Sequence, residues 1–191
     1  MKKTALLASY EKDKSLLRLG TLLKDSGWTL CGSAGTAKYL NENGILCRDI
    51  AEVAGPPILG HRVVTLSREI HAALLAATKE DFEELKRLDI EPIDLVYVTL
   101  YPLEQTMRNG ASPEDVLEKT DIGGPTLLRS AAKAKKLALS SPAQIGELEA
   151  WLKGGENERE REKLALRFAA AAERRVAEYI AASASYWEKQ I

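Results

Sequence analysis

Two short segments carry the side chains best suited to chemistry. In Gly32-Ser33-Ala34-Gly35-Thr36, small residues let the backbone approach an anion while the Ser33 and Thr36 hydroxyls donate to it. Lys12, just past an apolar run, supplies a matching positive charge. The same residues also suit a plain tight turn with Thr36 capping a helix and Lys12 on the surface, so both readings stand at this level. The second segment, Asp121-Ile122-Gly123-Gly124, sets a carboxylate beside two glycines where a helical stretch begins. Such a turn can aim N–H groups at a developing oxyanion while the carboxylate takes a proton, or the Asp can simply cap the helix. Tyr101, followed by Pro102, is either a site phenol or an apolar plug. Lys133 opens the run Lys133-Ala134-Lys135-Lys136, which suits the C-terminal end of a helix. His61 and His71 have no Ser or Cys partner at a recognisable spacing, which argues against either as a catalytic base.

Positioning these residues requires strands that end where helices begin. An apolar run at Thr4–Ser9 precedes a helix-period stretch at Lys14–Leu23, and Trp28–Cys31 leads through the Gly32 turn into a helix at Ala37–Leu40. After Ile45–Cys47, a connection rich in Gly and Pro runs to Thr65 and predicts no regular structure. Ile93–Leu100, bounded by Pro92 and Pro102, predicts a central strand covered on both faces. Pro125–Ala134 predicts a helix, Leu137–Ser140 a last strand, and the stretch from Glu156 to Lys189 a long amphipathic helix or two. Its alanine-rich face leaves open a homodimer seam or packing within the chain. The alternation predicts an α/β fold with a mainly parallel sheet between helices.

Composition narrows the function classes. A chain of 191 residues with 45% apolar and 29% charged residues predicts a single domain over 1–191 with one sizeable core. The 27 basic and 28 acidic side chains nearly cancel, giving no reason to expect nucleic acid as a partner. The opening apolar run is too short for a signal peptide, and no run approaches a membrane span, so a cytoplasmic protein with no membrane partner is expected. Cys31 and Cys47 form no CxxC pattern and only two histidines are present, which argues against a disulfide framework or a metal.

In combination these segments resemble a known family. The succession GSAGTAK at 32–38, HRVVTL at 61–66, IDLVYVTLYPLE at 93–104 and TDIGGPTLLRSAAK at 120–133, with a helical LALRFAAAAERRVAEYIAASASYW end, is similar to the IMP cyclohydrolase domain. That domain usually occurs fused to a formyltransferase in the bifunctional purine biosynthesis protein. The resemblance implies a three-layer, methylglyoxal synthase-like domain with a helical C-terminus. It also implies ring closure, with loss of water, of the formamido-imidazole carboxamide ribotide (FAICAR) to IMP. That reaction needs no metal or organic cofactor; a purine ribotide is the implied ligand and a separate formyltransferase the implied partner.

Carried over by motif, Lys12, Ser33, Gly35, Thr36 and Thr65 cradle the ribotide phosphate, with Arg62 nearby. Asp121, Ile122, Gly123 and Gly124 serve the carboxamide and formyl groups, and Tyr101 and Lys133 match the remaining site positions. Departures cluster at the same places. Val64 stands where the family has a catalytic lysine, Ser67-Arg68 where it has His-Pro, and Ala34 where it has the first of two glycines. Tyr10-Glu11 replaces Ser-Asp, and Thr99 an asparagine. Arg68 is the nearest cation in sequence to replace the missing lysine. A non-catalytic ribotide-binding regulatory domain, and a cyclohydrolase for a related analogue, are the alternatives. Methylglyoxal synthase is disfavoured because Tyr10-Glu11 occupies the place of its expected His-Asp pair.

Overall fold

Short aliphatic runs separated by helix-period stretches must bury both faces of a sheet, and they do so here. The computed structural model describes residues 3–60 and 62–191; His61 lies outside the described residues. Strands β1 (Thr4–Ser9), β2 (Thr29–Gly32), β3 (Arg48–Asp49), β4 (Leu95–Thr99) and β5 (Leu137–Leu139) form one sheet in the order β3-β2-β1-β4-β5. All four pairings are parallel. The mainly parallel sheet expected from sequence is thus parallel throughout.

Period-two alternation divides the strands between two cores. Ala5, Leu7, Leu95 and Tyr97 face α1 (Lys14–Asp25), α2 (Ala34–Glu42) and α9 (Ile145–Lys153). Leu6, Val96 and Val98 face the other layer, built from α4 (Arg68–Leu75), α6 (Leu103–Arg108), α7 (Pro113–Glu118) and α8 (Gly123–Lys133). The short α3 (Ala51–Ala54) and the surface helix α5 (Lys79–Arg87) complete that side. The four expected strands and the helices α1, α2 and α8 lie where the sequence placed them, to within a few residues, whereas β3 and α3 fall in the connection up to Thr65 that predicted no regular structure, β3 being held there by its pairing with β2. Helices α4 to α7 and α9 were not legible from periodicity, being at most nine residues long. Local capping marks some of them: Thr78 and Asp81 form a reciprocal capping box at the start of α5.

The last helix, α10 (Glu158–Glu188), is one continuous rod of 31 residues. Leu164, Ala165 and Phe168 belong to the first core, and Ala172, Val176 and Tyr179 to the second. It packs along β5 and α8, so its apolar stripe is used within the chain. Among the described residues, no helix is long and apolar enough to cross a membrane.

Candidate active site

In a parallel sheet the strands all deliver their carboxyl ends to one edge, where the following helices present unpaired N–H groups. Here β1, β2 and β4 end at a cleft of ≈ 920 Å³ whose lining includes Lys12, Ser33, Gly35, Arg62, Tyr101 and Asp121. Thr65, Ile122, Gly123 and Gly124 line it too, so one cavity gathers all but two of the expected site residues.

One end gathers the Lys12, Ser33 and Gly35 expected to hold an anion. Ser33 stands at the N-cap of α2 without capping a backbone N–H through its side chain, and while the Thr36 N–H is taken by the Ser33 carbonyl at 2.7 Å, those of Ala34 and Gly35 point toward the cleft end of the helix. The Ser33 hydroxyl instead donates to Thr36 Oγ1 at 3.0 Å. Lys12 donates through Nζ to the Ser9 carbonyl and, at 3.2 Å, to that of Tyr10. Partial burial pulls its pKa down, which marks a cation short of water and bonded to neutral oxygens. Thr36 departs from expectation. It is fully buried, and its hydroxyl accepts the Ser9 N–H at 3.1 Å, so it fastens the end of β1 to α2. Gly35 is not sterically forced, since a Cβ there would meet only Lys12 at 3.5 Å.

The other end is the turn into α8. Asp121 Oδ1 accepts the Gly124 N–H at 2.9 Å, so the carboxylate caps the helix and lines the cleft at once. Burial raises its pKa, while the Gly124 and Gly123 N–H groups oppose the rise. The net direction is upward, giving a stronger base than an ordinary carboxylate. The glycines are required by contact: a Cβ on Gly124 would overlap the Asp121 carboxylate, and one on Gly123 would stand 2.5 Å from Thr65 Oγ1. In this arrangement the Gly123 and Gly124 N–H groups serve Asp121 itself.

Tyr179, which sequence reasoning missed, anchors this turn. Its hydroxyl accepts the Asp121 N–H at 2.7 Å and donates to the Lys119 carbonyl at 2.9 Å. Lys133 is the other exception to the gathering: it is exposed at the last turn of α8, about 15 Å along the helix from Gly123 at 1.5 Å per residue. Arg68 is no substitute for the lysine absent at Val64, since its side chain is 85% exposed and pairs with Glu69. At the cleft mouth the Tyr10 and Tyr101 rings meet edge-on at 5.1 Å. Burial, then the Asp121 charge, raises the Tyr101 pKa and keeps its phenol protonated. Thr99 Oγ1 accepts the Tyr10 N–H at 2.8 Å and so fixes that mouth to β4. Among the described residues, no group of three or more His, Cys, Asp or Glu is arranged to hold a metal.

A parallel sheet of this order, with a cleft at the carboxyl ends of its central strands and a carboxylate at the start of α8, defines a class of α/β domains. The chain belongs to the MGS-like domain family, whose profile matches residues 15–126. Among curated proteins it is 40% identical over 132 residues to the bifunctional purine biosynthesis protein PurH of Aquifex aeolicus (68% of this chain, 26% of that protein). The PurH of Persephonella marina is 38% identical over 174 residues, covering 87% of this chain and 34% of that one. This chain therefore spans about a quarter to a third of the length of the curated relatives it matches. A solved structure described as the crystal structure of ForH superposes with a TM-score of 0.80 at 30% identity, covering 96% of this chain and 98% of that one. The family resemblance carried by the sequence motifs is borne out.

Proposed function

We propose that this chain is a cyclohydrolase that closes the second ring of a purine ribotide, converting FAICAR to IMP. The observation that carries the reading is the Asp121 carboxylate, made more basic by burial, in the same cleft as the Lys12–Ser33 cradle. A cavity of ≈ 920 Å³ suits a ligand of nucleotide size. The similarity to PurH proteins supports a purine intermediate as the ligand.

In this reading the cradle holds the phosphate and Asp121 accepts a proton from the carboxamide nitrogen as that nitrogen bonds the formyl carbon. The formyl oxygen takes the negative charge and then the proton that Asp121 carries. It leaves as water when the former formamide nitrogen releases its proton and a C=N bond forms. Tyr101, protonated at neutral pH, donates a hydrogen bond to the ligand at the cleft mouth. The reaction is redox-neutral and calls for no cofactor. Lys133 has no part in it within one chain. The intermediate's producer would be a formyltransferase.

A second reading, a ribotide-binding regulatory domain, is favoured by one observation: Val64 puts an aliphatic side chain into the cleft where the resemblance implies an ammonium. An ultraviolet assay with the formamido ribotide, run beside an IMP titration, separates the two. Ring closure above the uncatalysed rate supports the enzyme; IMP binding with no turnover removes it and leaves the sensor or a different ring.

A further inference from the structure

The oxygen that gains charge during ring closure needs donors, and beyond the Ile122 N–H the expected ones are spent or distant. The Gly123 and Gly124 N–H groups face Asp121. Lys133 closes the far end of α8, and Arg68 is turned to solvent. Lys12 is engaged with carbonyls at the phosphate end. Among the described residues, one further lysine lines the cleft: Lys119, in the turn between α7 and α8.

Three contacts hold Lys119 in place. Its Nζ stands 5.7 Å from the centre of the Tyr10 ring and 5.6 Å from that of Tyr101. Its carbonyl accepts the Tyr179 hydroxyl at 2.9 Å, and the same hydroxyl takes the Asp121 N–H. One buried phenol thus fixes the backbone under both an ammonium and a carboxylate. A cation–π contact draws on the charge without consuming N–H donors, so the ammonium is oriented yet able to bond a ligand oxygen.

We propose that Lys119, seated between Tyr10 and Tyr101, is the ammonium that binds oxygen at the heterocycle end of the cleft. During ring closure that oxygen is the one from the formyl group; in the product complex it is the ring carbonyl. The ammonium acts by charge and hydrogen bonding. The first half of this role rests on the cyclohydrolase reading; the second requires only that a purine ribotide binds.

The test compares wild type with Lys119→Met and Lys119→Arg, using IMP and ribose 5-phosphate as ligands and the formamido ribotide as substrate. Lys119→Met is expected to weaken IMP roughly tenfold or more and to leave ribose 5-phosphate within about twofold, because that ligand has a phosphate and no ring. Its kcat is expected to fall about a hundred- to thousand-fold. Lys119→Arg keeps part of both, and adding Val64→Lys to Lys119→Met restores part of kcat by returning an ammonium to the cleft. Equal weakening of both ligands, or IMP affinity unchanged in Lys119→Met, overturns the assignment. If wild type binds IMP without turning over the substrate, the cyclohydrolase reading fails, while the IMP and ribose 5-phosphate pair still decides the role of Lys119. If wild type binds neither ligand, both fall.

Discussion

The Tyr179 hydroxyl accepts the backbone N–H of Asp121 at 2.7 Å, joining the middle of α10 to the turn that carries the candidate base. Fifty-eight residues separate the two in sequence. Tyr179→Phe strips a half-buried N–H of its acceptor, which costs about 1–3 kcal/mol. A lower denaturant midpoint together with reduced turnover is expected. A midpoint equal to that of wild type would show that the turn holds itself.

Asp121→Asn separates chemistry from stability. Burial raises the pKa of this carboxyl, so the folded state favours the protonated form and ionisation at neutral pH costs stability. The neutral variant is expected to melt above wild type at pH 7, by ~2–4 °C if about 1 kcal/mol is relieved. The gap closes as pH falls through the raised pKa. Turnover is expected to drop roughly 10²- to 10⁴-fold. Calorimetry across pH and the ultraviolet assay read the two effects, and an active Asp121→Asn enzyme would refute the role of this carboxylate as base.

His71 gives a pH dependence of the opposite sense. Its Nδ1 lies 2.9 Å from Ser130 Oγ, and its buried Nε2 makes no hydrogen bond of ordinary geometry among the described residues. Burial lowers its pKa, partly offset by the Thr65 backbone that it faces. A depressed histidine penalises protonation in the fold, so stability present above pH ~6.5 is lost as pH falls below it. His71→Gln is expected to flatten that slope in urea titrations between pH 5 and pH 7. An unchanged slope would assign the loss to other groups.

The two glycine turns are expected to differ. Gly124→Ala forces a Cβ against the Asp121 carboxylate and to 2.7 Å from Leu100 Cδ2, a clash worth about 1–3 kcal/mol. Gly35→Ala meets only Lys12, at 3.5 Å, and replaces a helical glycine, so it leaves stability equal or slightly raised. Thermal melts of the pair check this, and equal losses would contradict the geometry.

Sequence gave a good account of the strands and of the cleft's two poles, because strand ends, glycine turns and helix starts are local patterns. Lys12, Ser33 and Asp121 were visible in this way. Tyr179 was not legible, because nothing local signals that its hydroxyl reaches the Asp121 turn. Thr36 misled because a hydroxyl at a helix start suits an anion, while the bond it makes is to β1, a partner fixed by the sheet. Lys133 misled for a related reason, since motif order places it in the family pattern but helix rise carries it away from Asp121. Lys119 drew no attention in a run of charged residues, and only the packing of Tyr10 on Tyr101 singles it out.

Helix α10 contributes Phe168 to one core, Val176 to the other and the Tyr179 hydroxyl to the turn at the cleft. The site is therefore not a detachable rim on a finished scaffold. Separating either layer from the sheet would pull on the same rod that steadies Asp121, so ligand-binding competence and the native fold should vanish in one cooperative transition. A bound ribotide, by the same linkage, would brace both halves of the molecule at once.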